Sequence, residues 1–476
     1  MGLRTITEMD GFSICRRTTI NMKSSGMKSA MAQADRILLR SSPAENTSPE
    51  MGILLGHALA MDNRKVVVGR DLMRSSSMMK EALVAGLTSS GADVLDVGVV
   101  SCPALALAAS KGDCAVYVTE YRGYGMTSGY LLVNPNGSLF RKEQLRHLEM
   151  YLVDPPKLPE SGDLGHVYEV YGAVDEYNAK LRSLPPEKAE CSVVMDCNCG
   201  PVSDSAPQIL NSMGVDVLTL NAQRDLDYVS GEMDSHGIRS DNVQRQVQSE
   251  SGYIGCAMNK AGTMTSVLDE NGRELKPEEV FALTVMFLRP KSIAVPIDTS
   301  TLIEDAFYGR LSGDQPQVDS DGYIMTSKSA AAVCEAVASG AELGFYDGGI
   351  IYGDISMMPD GIRTAAVMAG IAGDKSINKM VGTFPEYLRS RSVHDFSAAP
   401  EAFKREMDER LPDMEGRSLV RDYAWRVDLE GGWFLVRLIK TPGPAVEIVA
   451  ESKDRAYVIG LVEIAGDLVD ECLKAL

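Results

Sequence analysis

The pattern Gly-x-Asp-Val-Leu occurs twice, at Gly91–Leu95 and at Gly214–Leu218, each time after an apolar strand and an amphipathic helix. In the first copy the strand is Lys65-Val66-Val67-Val68-Gly69 and the helix runs from Ser75 to Leu87. In the second the strand is Cys191 to Asp196 and the helix Ser205 to Met213. A short continuous apolar run suits a strand buried on both faces, and strand–helix–strand units build parallel sheets. A third apolar strand, Ser292 to Ile297, opens another unit whose continuation is less regular. Repetition at domain-sized spacing predicts three similar α/β domains in tandem. Past about residue 375 the pattern changes. Trp433 to Lys440 and Ala445 to Glu451 read as a hairpin, and Asp454 to Ala475 as a helix, which makes a smaller C-terminal α+β domain.

The expected boundaries are 35–154, 160–272 and 273–375 for the three α/β domains and 376–476 for the last. Residues 1–34 read as a disordered extension, or as upstream sequence ahead of a start at Met31. Asp154-Pro155-Pro156-Lys157-Leu158-Pro159 is a stiff linker. A chain of 476 residues exceeds what one core holds. Its net charge of −19 repels a phosphate backbone, so nucleic acid is excluded as a partner. The strongest apolar run, Val280 to Leu288, is too short to span a bilayer. Nine cysteines are scattered without a framework, which suits a reducing cytoplasm. The close pair Cys197-Asn198-Cys199 is a poor zinc half-site and reads as a strand running into a turn.

Several stretches carry a specific likeness when taken in order. They are V-V-V-G-R-D with Ser75-Ser76, D-V-x-D-V-G-V-V with Pro103, G-Y-L-L-V-N-P-N-G at 129–137, D-C-N-C-G at 196–200, L-D-E-N-G at 268–272, and Gly348-Gly349-Ile350-Ile351 leading to Asp360-Gly361. Over about residues 35–476 the chain resembles the α-D-phosphohexomutase superfamily, the phosphoglucomutase/phosphomannomutase enzymes. The resemblance implies three α/β domains and a smaller fourth around a central cleft. It also implies movement of a phosphoryl group between C1 and C6 of a hexose through a phosphoserine and a bound Mg²⁺.

Carried over residue by residue, the four family loops are altered here. The stretch 120–129 reads as a loop between strands 115–119 and 130–133, and Tyr121 stands at the family's nucleophile position. A phenol reaches further than a serine hydroxyl, and phosphoryl transfer depends on positioning. At the metal loop Asn259, Ala261 and Thr263 occupy the ligand positions, with Lys260 between them. Mg²⁺ needs anionic oxygens, so no metal site and no cofactor are expected. At the sugar loop Phe345, Tyr346 and Asp347 replace the glutamate pattern, and at the phosphate loop Arg437, Lys440 and Thr441 are the remaining donors. The G-T-S-G-I-R-G stretch near the family's start is replaced by Ile37 to Ser42.

The candidate ligand-binding residues are therefore Arg70, Arg122, Tyr124, Lys260, Tyr346, Asp347 and Lys440. Arg70 reads either as a phosphate contact or as a strand-end anchor beside Asp71. Tyr121, Tyr124 and Tyr346 either line a pocket for a new ligand or fill space. The run Glu401 to Arg410 reads as a solvated helix face. On this reading the chain is a non-catalytic homologue with a binding or regulatory role, taking a sugar phosphate or other small anion in the cleft and pairing with an active paralogue or with itself. The alternative is an active phosphohexomutase using relocated groups.

Overall fold

A computed structural model describes residues 37–40, 49–123, 125–153, 159–225, 234, 237–250, 252–311, 320–439 and 444–476; the side chains at 37–40, 120–128, 152–153 and 320 lie outside that description. The chain divides into two compact units, the first made of residues up to 99 with 109–135 and 140–171, the second of 100–108, 136–139 and 172–476.

The first unit holds a six-stranded sheet in the order β1-β5-β4-β2-β3-β6. Its strands are β1 (Ile37–Arg40), β2 (Lys65–Arg70), β3 (Asp93–Val99), β4 (Cys114–Gly123), β5 (Gly125–Val133) and β6 (Val167–Glu169). β2, β3, β4 and β6 run parallel, whereas β5 is antiparallel to β4 and β1. Val66, Val68, Val116 and Val118 meet Leu55, Leu83 and Leu87 of the helices Pro49–Leu59 and Arg74–Ser89 in one core. Those helices approach so closely that a Cβ on Gly86 would lie 2.2 Å from the Ile53 carbonyl oxygen. Only glycine fits there.

The second unit holds three sheets. One has the order β10-β9-β7-β8, from β7 (Ser192–Asp196), β8 (Asp216–Leu220), β9 (Tyr253–Met258) and β10 (Thr265–Leu268). The next has the order β12-β11-β13-β14, from β11 (Ile293–Pro296), β12 (Tyr323–Thr326), β13 (Leu343–Tyr346) and β14 (Gly349–Tyr352). In both, as in β5-β4-β2-β3, three parallel strands end in a hairpin partner that runs antiparallel. The third repeat, whose continuation is irregular in sequence, thus keeps the same topology.

The last sheet is fully antiparallel, β15-β19-β18-β17-β16, from β15 (Leu388–Asp395), β16 (Arg417–Arg421), β17 (Ala424–Leu429), β18 (Gly432–Ile439) and β19 (Ala445–Ser452). The helix Arg455–Lys474 covers it, capped by the Asp454 carboxylate, which accepts from the Tyr457 N–H at 2.9 Å. The helix Pro400–Arg410 is amphipathic and not merely a solvated face, because Phe403 and Met407 enter the core. Among the described residues no helix is long and apolar enough to cross a membrane. The run Val280 to Leu288 lies instead inside the helix Pro277–Leu288, which is buried through Val285.

Candidate functional site

The expectation of a loop at 120–129 is corrected by the structure. β4 and β5 pair continuously from Ala115↔Val133 through Tyr121↔Thr127 to Gly123↔Gly125, so the backbone there is a long hairpin. Tyrosine and threonine suit a pleated backbone, and cross-strand pairing outweighs the glycines that suggested a loop. The side chains of Tyr121 and Arg122, and Tyr124 altogether, lie outside the described residues. At the hairpin's base the Thr119 hydroxyl donates to Asp71 Oδ2 at 2.7 Å, and Asp71 Oδ1 accepts from the Met73 N–H at 3.0 Å. Arg70 turns back on the same turn, its Nη1 donating to the Asp71 carbonyl at 2.9 Å.

In the second unit the stretch 259–264 closes on itself. Asn259 Oδ1 accepts from the N–H groups of Thr263 (3.0 Å) and Met264 (3.3 Å), while Nδ2 donates to Thr263 Oγ1 at 2.9 Å. The Ala261 carbonyl accepts from the Cys102 N–H and the Gly262 carbonyl from the Gly361 N–H. An amide whose oxygen is already held by two backbone donors, with no carboxylate in the stretch, is a turn and not a ligand set for a hard divalent cation. Among the described residues no group of three or more His, Cys, Asp or Glu side chains is placed to hold a metal. Lys260 is half-buried in this turn.

The sugar-loop position is the two-residue turn between β13 and β14. Asp347 (φ +49°) and Gly348 (φ +84°) both take left-handed backbone, which matches the twist of a tight hairpin. Asp347 is exposed and Tyr346 half-buried, whereas Phe345 stacks on Phe281 in the core with centroids 4.9 Å apart. This turn lies against the previous one. A Cβ on Gly348 would meet Met264 Cε at 2.8 Å, and one on Gly361 would meet the Met264 backbone. Tyr346, Asp347 and the 259–264 stretch are thereby brought together.

At the phosphate-loop position Lys440 and Thr441 lie outside the described residues. Arg437 sits within β18, opposite Glu447, and is already engaged. Its Nε donates to Glu447 Oε2 and its Nη1 to Asp298 Oδ2, the latter at 3.2 Å. Lys328 Nζ reaches the same Asp298 oxygen at 2.5 Å, and Arg391 Nε donates to Glu447 Oε1. Burial would raise the Asp298 carboxyl, but Lys328, Arg437 and Arg389 outweigh it and hold it below its ordinary value. Glu447 is fully buried, and Arg437 and Arg391 likewise overcome that burial and pull its carboxyl down. This cluster escapes a loop-by-loop reading. The signal for it was Glu447 and Glu451 interrupting an otherwise apolar strand, since a buried carboxylate demands cations.

A second network lies at Asp360, which caps the helix Gly361–Asp374. Its oxygens accept from the Tyr177 hydroxyl (2.8 and 2.7 Å) and from the Arg363 N–H (2.9 Å). Burial pushes its carboxyl up to about 6 against those bonds.

A family profile described as phosphoglucomutase/phosphomannomutase, alpha/beta/alpha domain I, matches residues 40–153. The chain is 29% identical to a probable phosphoglucosamine mutase of Methanosarcina acetivorans, over 90% of this chain and 97% of that one. It is 25% identical to a phosphoglucomutase/phosphomannomutase of Thermococcus kodakarensis, over 90% of this chain and 96% of that one. In fold it matches a phosphoglucomutase/phosphomannomutase family protein of Burkholderia thailandensis with a TM-score of 0.71 at 18% identity, covering 94% of this chain and 97% of the other.

Proposed function

We propose, on the premise that this chain belongs to the α-D-phosphohexomutase superfamily, that it is an intramolecular phosphotransferase acting on hexosamine or hexose phosphates. The observation that carries this reading is the end-to-end similarity to chains named as phosphoglucosamine mutases, which covers 90% of this chain and 97% of the Methanosarcina acetivorans one. The substrate class is taken from those names. The membership also corrects the expectation that no cofactor is involved: this is a family that uses Mg²⁺, and Mg²⁺ is the cofactor that comes with it. The residues at 259–264 nevertheless do not fit that ion, for the reasons of bonding given above.

That misfit favours a second reading, a homologue that binds a sugar phosphate and serves a regulatory role without turning it over. One experiment separates the two. The full chain is incubated with glucosamine 6-phosphate, Mg²⁺ and a trace of the sugar bisphosphate, and the 1-phosphate is measured. Turnover supports the mutase. Saturable calorimetric binding of glucosamine 6-phosphate with no turnover supports the second reading, and neither result in hand sinks both. The four sheets are taken as four domains with boundaries near 154–160, 272 and 375. A cytoplasmic setting suits the free cysteines among the described residues.

A further inference from the structure

The outer strands β16 and β12 of two sheets in the second unit both contribute walls to a cavity of about 660 Å³. Strand periodicity puts Arg417, Leu419 and Arg421 on one face of β16, and all three line the cavity. Arg421 is fixed by bonds to carbonyls, Nε to Met325 at 2.9 Å and Nη1 to Val420 at 3.0 Å. Neither Arg417 nor Arg421 pairs with a carboxylate among the described residues. The neighbouring cations do: Arg310 with Asp305 at 2.9 Å and Arg426 with Asp428 at 2.7 Å. In a chain of net charge −19, two guanidinium groups left without acids on one cavity wall stand out. The Tyr323 hydroxyl, also on this wall, is buried and has no hydrogen-bond partner.

The same cavity is lined by Glu304, Asp305, Asp321 and Asp428. Glu304 and Asp305 pair with Arg310 and Asp428 with Arg426, so the two β16 guanidinium groups are the donors that no ion pair among the described residues engages. Guanidinium groups match phosphate oxygens through paired N–H bonds, and a phenol donates to the same oxygens. The volume lies within the range of small-molecule sites and far exceeds one phosphate group, and Tyr308, Tyr387 and Trp433 supply aromatic wall for an organic part. The cavity touches Gly432, at one end of β18, whereas the phosphate-loop position follows Ile439 at the other. The two are separated along the strand by about 23 Å at ~3.3 Å per residue. We propose that this cavity is a separate binding site for a phosphorylated small molecule with a ring, of nucleoside diphosphate size.

Adenosine diphosphate and uridine diphosphate are the probes, titrated calorimetrically into the full chain with inorganic phosphate as the comparison. At least one diphosphate binds saturably, roughly tenfold or more tighter than inorganic phosphate. The double variant Arg417→Ala/Arg421→Ala, whose side chains are exposed, keeps its melting temperature and loses roughly tenfold or more in affinity. Tyr323→Phe weakens binding by a smaller factor, and saturating glucosamine 6-phosphate leaves binding unchanged. The proposal is overturned if neither diphosphate binds at millimolar concentration, if the double variant binds as well as the native chain, or if glucosamine 6-phosphate displaces the diphosphate.

Discussion

Asp360 and Glu447 are both buried carboxylates, and their surroundings push them in opposite directions. Asp360 has one phenol and backbone N–H donors against full burial, and its carboxyl rises from 3.8 to about 6. A raised folded value means that this group's contribution is complete below the unfolded value and disappears as pH climbs through about 6. Acidification from neutral pH towards the unfolded value should therefore favour the native state through this residue. Asp360→Asn should flatten that part of the pH–stability curve, as read from urea melts between pH 4 and 7. Tyr177→Phe removes a donor from an enclosed acid and should cost about 1–3 kcal/mol. Glu447 has two guanidinium partners and its carboxyl is lowered, so its contribution is present above the unfolded value and is lost as pH falls through the folded one. Glu447→Gln should lower stability at neutral pH and leave a shallower acid limb. If the variant melts like the native chain at pH 7, the pair contributes nothing net.

The helix pair 49–59 and 74–89 depends on glycine at the crossing. A Cβ at Gly86 would press on backbone, which cannot swing aside as a side chain can. Gly86→Ala should thus destabilise by about 1–3 kcal/mol despite alanine's better helix propensity; an unchanged denaturation midpoint would show that the helices can part. The 259–264 turn poses the converse problem, since its conformation is held by an amide where the family places carboxylates. Restoring them in Asn259→Asp/Ala261→Asp/Thr263→Asp should crowd like charges. The variant should melt below the native chain in chelator and gain more from millimolar Mg²⁺ than the native chain does, because binding to the native state alone raises its stability. Equal Mg²⁺ responses would show that this backbone no longer shapes a cation site.

Across the whole molecule, three sheets share one strand order and the fourth departs from it. Two of the three repeats were legible because an apolar strand, a helix and Gly-x-Asp-Val-Leu recur in register. The third was only partly legible, since its β12 lies beyond a long interval that carries no apolar strand signal. Charge is also a property at this scale. With 66 acidic against 47 basic residues, the chain should leave duplex DNA unshifted in a gel at low salt, where basic contacts are strongest.

Periodicity and turn chemistry act over a few residues, and they determined the strand and helix pattern and the Asp347-Gly348 turn; the family resemblance came from motifs recurring in a fixed order along the chain. That resemblance also marked the changed loop chemistry, because a residue that departs from a motif is visible in one dimension. Only the tertiary structure decided that Arg437 is held by Asp298 and Glu447, that Met264 lies under Gly348 and Gly361, and that Arg417 and Arg421 face a cavity. Those depend on which sheet edges meet, and a side chain's electrostatic surroundings come from residues far away along the chain.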